Sequence, residues 1–152
     1  MHQKLLTEGG RLLAFFQTLT EADWQTIVYP GEPSWTVRHI LAHLVASERD
    51  LAALFEHIRQ GHPGVPPNFS IDERNAQHQA EAAHLTPAEL LEAFWTVRAN
   101  TVAWVQTLTE HDLERTGRHP FLGQTALRKM IQLLSVHAHL HWRDIKHALH
   151  KA

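Results

Sequence analysis

Four long stretches of this chain repeat their apolar residues at helical spacing, and no segment of four or more residues alternates as a half-buried strand would. The first runs from about Lys4 to Leu19, with Leu5, Leu12, Phe16 and Leu19 along one face. Residues Tyr29 to Pro33 (YPGEP) then break the chain, because two prolines and a glycine cannot continue a helix. The second stretch takes Ser34 or Thr36 as its N-cap and carries Val37, Ile40, Leu41, Leu44, Leu51, Phe55 and Ile58. It ends at the loop GHPGVPP, Gly61 to Pro67, after which Ser70 and Glu73 have capping-box spacing for a short helix. The third stretch opens on Thr86 as N-cap, Pro87 in the first turn and Glu89 closing a capping box. Its stripe is Leu90, Leu91, Phe94, Val97, Thr101, Val105 and Leu108. The fourth starts near Thr125, after the turn residues His119, Pro120 and Gly123, and runs to about Leu149. Amphipathic helices of this kind predict an all-α, up-down four-helix bundle, with the longest connection, Gly61 to His84, crossing one end.

The bulk properties narrow the function. A chain of 152 residues suits one domain, 1–152, with its own core. A formal charge of −2 exerts no general pull on nucleic acid or an anionic membrane, so neither is expected as a partner. No apolar run approaches the ~20 residues that cross a bilayer, and MHQKLLTEGG has no signal-peptide core, so a cytoplasmic location is expected. There is no cysteine. Any metal must therefore be held by histidine and carboxylate, and any thiol chemistry must use a thiol from outside.

Fourteen histidines leave room for such a site. In SVHAHLHWRD, Ser135 to Asp144, His141 lies within the apolar stripe of the fourth helix, three residues after Ala138 and four before Ile145. His137 lies one turn earlier on the same side, whereas His139 falls on the far side with Arg128, Gln132, Arg143 and Lys146. A pair at i and i+4 stacks with β-carbons about 6 Å apart, a spacing that two imidazoles can share around one ion. The alternative is a pair of core histidines held by hydrogen bonds, since a buried imidazole needs partners for both nitrogens. On the second helix His43 lies on the flank of the stripe and can reach a neighbouring helix, while His39 is turned toward solvent. Glu48 sits near the centre of that stripe, where a carboxylate must be paired with an arginine, a histidine or a metal site.

The phrase WTVRHILAHLVASE, Trp35 to Glu48, resembles the second-helix signature of the DinB-like (DNA-damage-inducible, YfiT-like) superfamily of four-helix-bundle metalloproteins. GQTALRKMIQLLSVHAHLHWRDI, Gly123 to Ile145, is similar to its last helix, which carries H-x-x-x-H. The resemblance covers essentially the whole chain. It implies a divalent metal, commonly zinc or nickel, held by His43, His137 and His141 with coordination positions left for water or substrate. Three histidines with vacancies form a catalytic arrangement, since structural zinc sites are usually closed by four protein ligands. The superfamily includes enzymes that use low-molecular-weight thiols, and a metal can stabilise the nucleophilic thiolate. The chain departs from the larger thiol-dependent isomerases in having no second domain after the bundle, which puts their isomerisation in doubt here.

Asp144 reads as an ion-pair partner or as an acceptor that orients an imidazole, ahead of a direct role as base; Glu48 reads as a buried salt bridge rather than a ligand. Trp35 reads as a hydrophobic anchor, with a place in the pocket lining as the lesser alternative, and His57, His62, His78, His84, His111, His119, His147 and His150 as scattered surface histidines. The favoured function is a metal-dependent transferase or hydrolase acting on a small electrophilic molecule, with a low-molecular-weight thiol as possible co-substrate and a homodimer as the expected assembly. The alternatives are a non-catalytic metal- or ligand-binding bundle and a structural site closed by Glu48 or Asp144.

Overall fold

Threonines set where several helices begin. Thr20, Thr36, Thr86 and Thr109 each accept a hydrogen bond from the backbone N–H three residues on, and that residue's side chain bonds back to the threonine N–H. The helix ends fixed this way organise the structure, a computed structural model that describes residues 1–151, the side chain of Lys151 apart. Helix α1 spans His2–Gln17 and a single turn, α2, spans Glu21–Trp24. A ribbon follows, β1 at Ile27–Tyr29 and β2 at Trp35–Thr36. Then come α3 at Val37–Arg59, α4 at Ile71–Ala82, α5 at Pro87–Gln106 and the short α6 at Glu110–Glu114. A second ribbon, β3 at Thr116–His119 and β4 at Gly123–Ala126, leads into α7 at Leu127–Lys151.

The expected four-helix bundle is made by α1, α3, α5 and α7, but two expectations about it need correction. The fold is mostly helical rather than strictly all-α, because both chain breaks fold back as antiparallel ribbons. Their strands are two to four residues long and one pairing is irregular, too short for an alternation to show in sequence.

The topology also differs from up-down-up-down. Glu48 pairs with Arg98 and, two turns later on both helices, Glu56 accepts from Trp104 Nε1, so α3 and α5 run in the same direction. Gly9 of α1 abuts Arg98 while Phe16 meets Phe94, so α1 opposes α5. Helix α3 opposes α7, with His43 against His137 and His141 and Phe55 near the start of α7. The order is therefore up, down, down, up, with α1 packed against α5 and α7, and α3 against the same two.

Two parallel neighbours joined in sequence need a connection that returns the length of the bundle. Helix α3, at 23 residues, is about 35 Å long, and the twelve-residue α4 covers about half of that return. The loop before α4 is pinned at Gly64, whose φ is +95°. A Cβ there would fall on the Arg118 backbone, and Val65 N–H donates to Arg118 O at 3.0 Å. Helix α4 itself docks on α3 through polar contacts: Arg74 binds Asp50, and the Gln79 amide donates to His39 O.

Two apolar clusters fill the bundle. One gathers Leu12, Phe16, Ile40, Leu41, Phe94 and Ile145, and the other Leu5, Phe55, Ile58, Leu127, Met130 and Ile131. Among the described residues no helix is long and apolar enough to cross a membrane.

Candidate metal centre

Helix periodicity puts His137 and His141 on one face of α7, and the antiparallel α3 brings His43 opposite them. His43 Nε2 lies 3.1 Å from His137 Nε2, and His141 Nε2 lies 3.0 Å from the same atom. The three ring nitrogens fall within 4.8 Å of one another, and no other group of three or more histidines and carboxylates gathers this way among the described residues. Burial pushes the pKa of His43 down to about 3, helped by the neighbouring His137 and His141, and burial first of all lowers His141 to about 4. His137 is also lowered by burial, with the Glu48 carboxylate pulling the other way. At neutral pH the cluster therefore consists of neutral imidazoles, the protonation state that ligates a metal.

A hydrogen-bond relay fixes one of the three tautomers. The Tyr29 hydroxyl donates to Asp144 Oδ2 at 2.8 Å and lies 2.8 Å from His141 Nδ1. Its single proton is committed to the carboxylate, whose pKa is lowered chiefly by that bond, and the Tyr29 pKa is pushed far above its ordinary value by burial. His141 Nδ1 must then carry a hydrogen and donate to the tyrosine oxygen, which leaves the Nε2 lone pair pointing at the other two histidines. Asp144 is thus placed for two of the three roles the sequence left open. It pairs with Arg143 at 3.1 Å and reaches His141 through the Tyr29 hydroxyl. Tyr29 was missed in the sequence because it stands inside YPGEP, read only as a break; being the one tyrosine in the chain was its only signal.

The other histidine-rich positions sort clearly. His39 Nδ1 accepts the Thr36 N–H at 3.0 Å, so it closes a helix cap and takes no part in the cluster. His139 is exposed and rests edge-on against Trp142. Glu48 is 5 % exposed and locked to Arg98, its oxygens receiving Nε and Nη2 at 2.9 Å, so it is a buried ion pair rather than a ligand. Two expectations fail: His78 and His119, read as surface residues, are each only 4 % exposed. His78 sits on α4, whose polar composition hid the face it turns toward Asp50, 2.7 Å away. His119 ends β3, in a hairpin too short to be seen as one.

Both line a cavity of about 420 Å³ that opens beside the triad. Trp35 also lines it, packing on the His43 ring with centroids 5.1 Å apart, so it is both an anchor and a wall. Asn75 of α4 faces the same ring, yet His43 Nδ1 has no partner at bonding geometry. Converging neutral nitrogens, one tautomer held by a relay, and an open cavity beside them make a donor set that fits one divalent ion. Imidazoles alone suit zinc, nickel, copper and iron alike.

Three comparisons place the chain among known proteins. No curated protein matches it. Its structure is similar to that of YfiT from Bacillus subtilis, described as a probable metal-dependent hydrolase with an unusual four-helix bundle topology. The TM-score is 0.81 at 20 % identity, over 99 % of this chain and 84 % of that one. It is also similar to a mycothiol-dependent maleylpyruvate isomerase (TM-score 0.73, 16 % identity, 97 % of this chain), of which it spans 57 %. The four-helix bundle protein TT2238 matches with a TM-score of 0.57 at 19 % identity, over 99 % of this chain and 95 % of that one. At these identities the likeness shows the fold. A sequence profile of the DinB superfamily matches residues 5–145, nearly the whole chain, and the chain belongs to that superfamily.

Proposed function

We propose that this chain is a divalent-metal enzyme in which His43, His137 and His141 hold one zinc or nickel ion. It acts as a hydrolase or a thiol-dependent transferase on a small electrophilic molecule. The observation that carries this reading is the convergence of the three Nε2 atoms at 3.0 and 3.1 Å, while Glu48 and Asp144, the two carboxylates considered as a fourth ligand, are paired elsewhere. Glu48 is held by Arg98, and Asp144 by Tyr29 and Arg143. Three ligands with space beside them match a catalytic rather than a structural zinc arrangement. The comparison with YfiT supports the hydrolase reading, and that with the mycothiol-dependent isomerase supports an external thiol. The chain's lack of cysteine fits a thiol supplied from outside. We take the chain to act as one domain, in the cytoplasm and as a homodimer.

When bound, the ion supplies Lewis acidity that turns a water or a thiol into a nucleophile at neutral pH. The protein's part is positioning. Tyr29 and Asp144 keep the proton of His141 on Nδ1, which would leave its Nε2 lone pair free to hold the ion. Trp35 and the apolar cavity wall exclude water around His43, which strengthens the electrostatics of the site.

The test is metal analysis of untagged protein prepared without a nickel column, on wild type and on His43→Ala, His137→Ala and His139→Ala. About one ion per chain, lost in the first two variants and kept in the third, followed by hydrolase and thiol-transfer screens, is the expected result. Wild-type protein that takes up neither zinc nor nickel would overturn the reading.

A further inference from the structure

His119 is a buried histidine to which the triad assigns no role. Its Nδ1 accepts two backbone hydrogen bonds from the turn that follows it, from Phe121 N–H at 3.0 Å and Leu122 N–H at 3.1 Å. A nitrogen that accepts both cannot carry the ring proton, so Nε2 carries it and is a donor. Burial, and next to it the nearby His137, hold the ring's pKa down to about 4, so it is a neutral donor at neutral pH. That Nε2 is buried and has no hydrogen-bond partner. An orphaned buried N–H works against the fold that holds it, and such a group calls for an explanation. His119 lines the same cavity as His43, His137 and His141.

The rest of that cavity limits what can enter it. Its walls are largely apolar, with Leu51, Ile71, Phe121, Met130, Leu134 and Leu140 among them. Among the described residues Asp50 and Arg74 are the only carboxylate and guanidinium that line it, and they neutralise each other through bonds of 2.6 and 3.1 Å. Beyond a divalent ion at the triad these walls offer no spare counter-charge, so the charge of a ligand must gather in one head at that ion. A ligand with an apolar body and a single anionic head finds apolar contact along the walls and the unpartnered His119 Nε2–H.

We propose that the cavity takes an apolar molecule ending in one carboxylate-like head, and that His119 Nε2–H donates to that head when it is bound at the triad. The proposal rests on the triad holding a divalent ion, and it names the kind of molecule that site accepts.

The experiment uses the full chain loaded with cobalt(II), whose visible absorption reports ligands at the metal, titrated with acetate and with octanoate. Octanoate should bind at least about 30-fold more tightly than acetate, because its extra methylenes leave water. In His119→Asn the side-chain oxygen can still accept the two turn amides while the distal N–H is gone. Its affinity for octanoate should fall about tenfold or more, with cobalt uptake unchanged. A readout that needs no variant is the His119 Nε2 resonance of the zinc-loaded, ¹⁵N-histidine-labelled protein, which should move when octanoate is added. Octanoate no tighter than acetate, an unchanged affinity in His119→Asn, or an unmoved resonance would each overturn the proposal. Failure of the wild type to take up cobalt or zinc would instead overturn the metal site on which it rests.

Discussion

Two polar side chains, five residues apart on α3, are buried to nearly the same degree: His43 is 7 % exposed and Glu48 is 5 %. Their surroundings could hardly differ more. Glu48 meets a single partner in bidentate fashion, and the remaining Arg98 nitrogen donates to Leu5 O at 3.0 Å, so that cluster is complete as it stands. Gly9 leaves room for it, because a Cβ there would lie 2.8 Å from Arg98 Cγ. His43 meets only other imidazole nitrogens at Nε2 and nothing at Nδ1. Burial of a polar group therefore does not by itself mark a site. What separates the two clusters is that one satisfies its members and the other gathers ring nitrogens around a common point.

The largest effect that would test this contrast comes from breaking the closed cluster. Glu48→Ala strands the Arg98 guanidinium in the core, and chemical denaturation should show a loss of about 3–5 kcal/mol. Replacing both partners by apolar residues, Glu48→Leu with Arg98→Met, should recover most of it. His43→Ala in metal-free protein should cost far less, because it removes a group that lacks partners. If His43→Ala proves as damaging as Glu48→Ala without metal, the two clusters are structural alike and the contrast fails.

Metal should bring the two variants nearly level. With a divalent ion present at about a thousand times its dissociation constant, wild type should gain about 4 kcal/mol over the chelated protein. The same addition should leave His43→Ala unmoved, while Glu48→Ala should keep most of the gain. Thermal melts with and without chelator read all three, and an equal gain in His43→Ala would remove that residue from the site.

Acid sharpens the comparison in a different way. The folded metal-free chain keeps His43 and His141 neutral down to pKa values of about 3 and 4, whereas the unfolded chain protonates them near 6.5. Below pH 6.5 the unfolded state binds protons that the folded state refuses, so stability falls from pH 6.5 toward about 4 and is unaffected above that window. The slope is up to about 1.4 kcal/mol per pH unit for each histidine, and it should be shallower in His43→Ala. Urea midpoints of the two metal-free proteins, measured from pH 7.5 to 5, check this.

How much of this was legible in the sequence follows from the range of each interaction. The helices showed because apolar spacing is a local, repeated signal, and Thr86, Pro87 and Glu89 marked a start that α5 uses. His43, His137 and His141 were legible by helix facing together with the family resemblance. The order up, down, down, up was not, since it depends on which faces pair across the bundle, and an amphipathic stripe is silent on that. His78 and His119 were misplaced for a related reason: one is buried by a polar helix docking through Arg74 and Gln79, the other by a ribbon of four-residue strands. Tyr29 reaches His141 across 112 positions of sequence, and nothing local to YPGEP points there.

That long-range contact gives the smallest effect and the finest test. Tyr29→Phe keeps the ring that packs at 5.7 Å from His141 and deletes only the hydroxyl between His141 Nδ1 and Asp144. His141 can then place its proton on either nitrogen, and the fraction with a free Nε2 lone pair falls. Losing such an outer hydrogen bond typically weakens metal binding about 10–100-fold, so competition against a chelator should show a drop in that range. The metal-free protein should unfold at nearly the wild-type urea concentration, because Asp144 is partly exposed and keeps Arg143 as a partner. Asp144→Asn should shift the affinity in the same direction, since an amide nitrogen could donate to the tyrosine oxygen and free its proton to face His141 Nδ1. If both variants bind metal as wild type does while His141→Ala does not, the relay is a packing contact, and the His141 tautomer is set by the ion itself.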